Sequence, residues 1–426
     1  MEASDVRLDT GATPGPPGGR PAARADDRDD AAHRLGSLPP ELALLLDLVE
    51  PARVARRAQG VDWGIVLALA RQHRLSARLA AAAEHSPAMT SQMPDRIRGE
   101  LRSILDQERL SQRRALRELD EVCAALVDAG IRPVVLKGAA LQVRGLVEVG
   151  LRPLADLDLL VEPGKVDPAA QMLERLGFRS IGSATERAWA RKHHYQDAPY
   201  RHPDHAFDVD LHWHIQAPAH RHSFSVSTLE TREQILPSGT AVDVLDDVDL
   251  LTHLCLHFWN DREQGRPGSL GQLIDIAAVL RGFDEQAWTS LRERASRRRH
   301  ERIIAACVAM CDLFSLTQAT SQLPEAQTML DDPRHPSFAI RRVLGTRPPQ
   351  IQMLMVTPDV EYSPRRVATR VAGHLRRTWS RSSARGDRSG GDDRCRDLIV
   401  LCWRIVRSPW ESAAEIGLDR WAHGLR

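Results

Sequence analysis

Lysine is nearly absent from this 426-residue chain: Lys137, Lys165 and Lys192 stand among 58 basic residues. Arginine fills every other basic position, which suggests a coding bias. A surviving lysine is then a candidate for a role that needs a compact point charge rather than a planar guanidinium. Lys137 is the best of the three, because it ends the apolar run Val134-Val135-Leu136 and precedes Gly138. Cysteine is scarce too. The six are scattered, with no disulfide framework and no zinc-knuckle spacing. Cys307 and Cys311, one helical turn apart among apolar residues, read as core. No apolar run has the length of a membrane span and no signal peptide opens the chain, so a cytoplasmic protein is expected. Formal net charge is +1, which provides no global field for nucleic acid and argues against an RNA-modifying role.

What is present is ordinary globular composition, 42% hydrophobic and 27% charged, in a chain long enough for two or three compact units. Residues 1–36 are rich in Gly, Pro, Ala, Asp and Arg and are expected to be a disordered tail. A helical lead-in follows over 37–130. It starts at Pro39-Pro40, continues from Asp62-Trp63, and ends in a long charged amphipathic helix closed by Gly130. The next hundred residues, 131–228, change character, with short apolar strands alternating with short helices. Helical periodicity returns over 229–318. The region 319–426 is poorly defined and carries a Ser/Gly/Arg/Asp linker at 381–396, a short apolar helix after it and an Arg-rich stretch at 365–377 that reads as a solvated face. No internal repeat is detected.

The central stretch carries the chemistry. In Arg152-Pro153-Leu154-Ala155-Asp156-Leu157-Asp158-Leu159-Leu160-Val161, Asp156 and Asp158 are two residues apart in an apolar run. On a strand they share a face, while Leu157, Leu159 and Val161 share the other. Two carboxylates so close repel unless a cation joins them, and Mg²⁺ favours a few carboxylates completed by water and phosphate. A second segment, 207–215, alternates strictly: Phe207, Val209, Leu211, Trp213 and Ile215 on one side, Asp208, Asp210, His212 and His214 on the other. It is expected to be a half-buried strand that supplies the third carboxylate of a two-metal transfer site, from Asp210 or Asp208. Lys137 and Arg152 can neutralise triphosphate charge, and Gly138 at a strand-to-helix junction allows close phosphate approach.

Lys137-Gly138, then Arg152-Pro153-x-x-Asp156-x-Asp158-Leu159-Leu160-Val161, then Asp210-Leu211-His212-Trp213 together resemble the uncharacterised nucleotidyltransferase family of the DNA polymerase β superfamily. The resemblance runs over about 37–316. It implies an α+β fold, a small mixed sheet between N- and C-terminal helical segments. It further implies a Mg²⁺ site of Asp156, Asp158 and Asp210, catalytic as well as metal-binding, with Lys137, Gly138 and Arg152 binding a nucleoside triphosphate. The acceptor would be a small molecule or a protein, through a hydroxyl or phosphate. One departure stands out. The wider superfamily has Gly-Ser where this chain has Gly138-Ala139, so a phosphate-contacting hydroxyl is missing. The alternative is accordingly a catalytically degenerate protein of the same fold that holds a nucleotide or a partner.

The simpler reading of Asp208 is an exposed carboxylate, and of His212 and His214 a set of hydrogen bonds orienting the acids. His193, His194, His202, His205, His220 and His222 crowd the same region, and His253 and His257 stand one helical turn apart, but no Cys or Glu completes a zinc set. His257 is expected to cap the cleft or pack against it. Asp275, in mid-helix among Leu273, Ile274 and Ile276, is expected to pair with a buried His or Arg.

Overall fold

A computed structural model describes residues 39–48, 58–216, 226–263, 269–314 and 316–331. The expected N-terminal tail, the Arg-rich stretch and the linker at 381–396 with its following helix lie outside them. Thirteen helices and a seven-stranded mixed sheet make up the described residues, the α+β architecture expected.

The N-terminal helices form where the sequence signals them. α1 (Pro40–Asp47) starts at the Pro pair, and α2 (Trp63–Gln72) is capped by Asp62, whose Oδ1 accepts from the amides of Gly64 at 2.8 Å and Ile65 at 3.2 Å. α3 (Ser76–His85) and the short α4 (Pro87–Thr90) lead into α5 (Asp95–Asp128), a 34-residue helix along which α3 packs. The sheet follows. β1 (Val134–Val135) runs directly into α6 (Lys137–Val143), and β2 (Asp156–Leu160) precedes α7 (Val166–Arg175). Then come β3 (Arg179–Ser180), α8 (Ala184–His193), β4 (Tyr200–Arg201), β5 (Asp208–His212), β6 (Thr231–Ile235) and β7 (Ala241–Leu245). Their spatial order is β3-β4-β5-β2-β1-β7-β6.

β2 and β5 are central and parallel, with Asp156 opposite Asp208 and Asp158 opposite Asp210. Leu157, Leu159, Val209 and Leu211 are all buried beneath them. Each such side chain stabilises the fold by roughly 1.5–3 kcal/mol, and a one-residue slip would send all four to the wrong face. β5 departs from the half-buried strand expected: Asp210 and His212 are also buried, at 6% and 1% exposure. The alternation of polar and apolar residues marks a site-bearing face against a core-bearing face. The sheet also continues beyond residue 228 through the hairpin β6–β7, in which β7 pairs in parallel with β1.

α9 (Asp247–Glu263), α10 (Leu270–Leu280), α11 (Glu285–Arg298), α12 (Glu301–Leu313) and α13 (Pro324–Asp331) complete the described chain. α9, α10 and α12 pack on one another, and Cys255, Cys307 and Cys311 are buried free thiols between them. The start of α10 docks on the turn between α2 and α3. The Gly271 amide donates to the His73 carbonyl at 3.2 Å, and a Cβ on Gly271 would lie 2.9 Å from that oxygen. None of the described helices is long and apolar enough to cross a membrane.

Candidate active site

Register brings the acids together. Asp158 and Asp210 are direct cross-strand neighbours, and Asp156 lies on the same face of β2 as Asp158. Asp158 Oδ1 accepts from Lys137 Nζ and is 2.8 Å from His212 Nε2. Asp210 receives one hydrogen bond, from Gln196 Nε2 to Oδ2 at 3.0 Å; its Oδ1 is buried and has no partner among the described residues. Ligand atoms of Asp158, Asp210 and His212 all lie within 4.8 Å of one another. It is the group of three or more such side chains, among the described residues, that could hold a metal ion.

The charges of this cluster are unequally compensated. For Asp158, burial alone would favour the neutral acid, but Lys137 and His212 outweigh it and hold the carboxyl well below the ordinary range. Burial works against the Lys137 ammonium as well, and Asp158 and Asp156 overcome it, so its pKa lies above the ordinary lysine value. The other two acids lack such a partner. Burial and the neighbouring Asp158 push Asp156 up to about 6, and burial with the charges of Asp158 and Asp156 pushes Asp210 up to about 7. A half-buried and a buried carboxylate, both under-compensated, beside an unpartnered oxygen form an arrangement that could hold a cation.

The other expected site residues take particular positions. Asp208 is engaged from β4, where Arg201 grips both its oxygens at 3.0 and 2.8 Å. Lys137 has a left-handed backbone, φ 48°, at the first position of α6. Non-glycine residues adopt it at a cost, and it persists where surrounding contacts over-determine it. Arg152 donates through Nε to Asp275 Oδ2 at 2.8 Å, the pairing expected for that buried acid. Its guanidinium fills the space above Gly138: a Cβ there would lie 1.7 Å from Arg152 Nη1 and 2.6 Å from Leu154 Cδ2. The close approach that glycine permits is thus made by the Arg152 side chain.

His253 and His257 stack with parallel rings 6.5 Å apart on α9. Burial and the Lys137 charge depress both, His257 to about 3, so they are neutral imidazoles against the lysine. Burial likewise lowers His212, against the pull of Asp158. Three polar residues at or near the site escaped sequence reading. Gln196 sits in the loop before β4, and the partners of a loop glutamine carry no sequence signal. Arg74 and Arg78 belong to the α2–α3 corner: the Arg74 charge reaches Asp156, and that of Arg78 reaches Asp275, Arg152, Arg281 and Glu148.

Comparison with known proteins gives a family match. A family described as uncharacterised nucleotidyltransferase matches residues 59–315, more than half of the chain, including every strand and every acid of the cluster. No curated protein and no solved structure matches.

Proposed function

Since the chain belongs to the uncharacterised nucleotidyltransferase family, we propose that it moves a nucleotidyl group from a nucleoside triphosphate to a hydroxyl or phosphate acceptor, using Mg²⁺. The observation that carries this reading is the Asp158–Asp210 pair, set side by side by the β2–β5 register with Asp210 Oδ1 buried and unpartnered. Asp156, Asp158 and Asp210 would hold the metal, which supplies charge stabilisation at the transferring phosphoryl group. His212 fixes Asp158 through Nε2 and stands close enough to join the ligand set. Asp210, ionised beside the metal, is placed to take the proton of an acceptor hydroxyl. Lys137 holds Asp158 ionised, and the left-handed turn at its own residue places it at the mouth of α6. The acceptor class, a small molecule or a protein, is set by surfaces beyond this cluster.

Two observations favour the second reading, a degenerate protein that binds without turnover. Lys137 already provides Asp158 with a cation, and Ala139 offers no hydroxyl to phosphate. Pyrophosphate release from the four common nucleoside triphosphates, with Mg²⁺ and a panel of acceptors, decides between them. Turnover lost in Asp210→Ala and kept in Asp208→Ala is the expected result. Binding of triphosphate without release under any acceptor would leave the degenerate reading, and a fatal Asp208→Ala would move the third acid to the other position.

A further inference from the structure

Bringing a triphosphate to a cluster of three carboxylates needs cations that are not already committed. Around the site, the basic side chains differ in this respect. Lys137 is bound to Asp158. Arg144 is bound to Asp247, away from the acids. Arg152 spends Nε on Asp275 and holds Nη1 3.4 Å from the Pro153 carbonyl. Arg78 is different. It is half-buried on α3, and among the described residues it makes no hydrogen bond and no ion pair, although Arg152 and Arg281 stand close enough to repel it. Asp275, whose Oδ2 is taken by Arg152, and the exposed Glu148 attract Arg78 against that repulsion, Asp275 more strongly than either guanidinium repels it. One helical turn before Arg78, Arg74 is exposed, makes no ion pair among the described residues, and faces the charge of Asp156 from a left-handed backbone of φ 58°.

A half-buried guanidinium facing other guanidinium groups is unfavourable by itself, and an anion with several oxygens is the ligand that relieves it. The scaffold holds the group in place. Docking of α10 on the His73 carbonyl fixes the corner that carries Arg74 and Arg78, and the same helix carries Asp275, which fixes Arg152. α10 thus contacts both the corner and Arg152.

We propose that Arg78, with Arg74 and Arg152, forms the polyphosphate subsite of this protein, holding the outer phosphates of the nucleotide whose inner phosphate meets Asp156, Asp158 and Asp210. The inference rests on the nucleotide-transfer reading for the identity of its ligand, and it adds two arginines of the helical lead-in to the triphosphate contacts expected of Lys137 and Arg152.

Isothermal titration of the full chain with inorganic triphosphate in a chelating buffer tests the subsite without metal or transfer. Wild type should bind, Arg78→Gln should bind at least about tenfold more weakly, as loss of a charge-assisted contact implies, and Arg78→Lys should recover part of the loss. Arg74→Gln, an exposed change with little bearing on folding, should weaken binding as well and keeps the test decisive if Arg78→Gln misfolds. Asp210→Asn should bind as well as wild type or better, because it removes a negative charge. No binding by wild type, or wild-type affinity in both Arg78→Gln and Arg74→Gln, would overturn the subsite; an acidic acceptor as the true ligand of Arg78 would give the second pattern. If triphosphate binds and depends on Arg78 but no nucleotide releases pyrophosphate, the transfer reading fails and the subsite stands.

Discussion

At the scale of single residues, the two acids of β2 are not equivalent although they are two positions apart on one face. Asp158 is matched by Lys137 and His212, whereas Asp156 is raised to about 6 by burial and by Asp158 itself. Replacing each by asparagine should therefore have opposite effects on the metal-free fold. Asp156→Asn relieves repulsion and should leave the melting temperature equal or higher. Asp158→Asn strands a buried ammonium and should cost roughly 3–5 kcal/mol, the range for breaking a buried pair from one side. Chemical denaturation of both variants in chelator checks this, and equal destabilisation would show that Asp156 has a structural partner. The distinction was beyond sequence reading. For β5 the alternation alone leaves Asp208 and Asp210 equal and the family resemblance points to Asp210; the structure adds Arg201, brought alongside by the β4–β5 pairing, as the partner of Asp208.

At the scale of elements, α6 meets the 152–154 segment through Gly138, where Arg152 occupies the position of a side chain. Gly138→Ala should displace the guanidinium and break its bond to Asp275, whose Oδ1 already lacks a partner among the described residues. A loss of about 3 kcal/mol is expected, again the scale of a one-sided break in a buried pair. Adding Asp275→Asn should then cost less in the Gly138→Ala background than in wild type, because the two changes remove the same interaction. Additive losses in a double-mutant cycle would sink this account of the glycine. Which elements form was largely legible: the Asp62 cap, the long helix ending before Gly130, and β2 and β5 all stand near their expected places, because periodicity and capping are local signals. β6 was not legible. Its residues Thr231, Arg232, Glu233 and Ile235 are exposed on a sheet edge, so no apolar alternation marks them as strand. Arg78 was equally hidden, since its lack of a hydrogen bond or ion pair among the described residues is a property of tertiary structure alone.

For the whole molecule, the near-neutral net charge conceals an acidic centre that ties stability to pH and, on the proposed reading, to metal. An acid whose pKa is higher in the fold than in the unfolded chain takes up its proton in the fold first. Its contribution favours the fold at low pH and is lost as pH rises from 3.8 to the folded value, about 6 for Asp156 and about 7 for Asp210. Asp158 has the opposite sign, but its window lies below 3.8. His73, His212, His253 and His257, all lowered from 6.5, oppose the two acids: they favour the fold increasingly as pH rises toward 6.5. Absolute stability therefore mixes both trends below 6.5, and the increment produced by Mg²⁺ separates them. Mg²⁺ must displace protons from Asp156 and Asp210, so its stabilisation should be small at pH 5.5 and grow through pH 6–7 to a plateau. Melting curves of the full chain with Mg²⁺ and with chelator, taken from pH 5.5 to 8, give the increment directly. Asp210→Asn should reduce the plateau and remove the part of the rise centred near 7. A wild-type increment that does not change with pH would mean that the cation binds elsewhere, and the cluster of Asp156, Asp158 and Asp210 would lose its assignment as the metal centre.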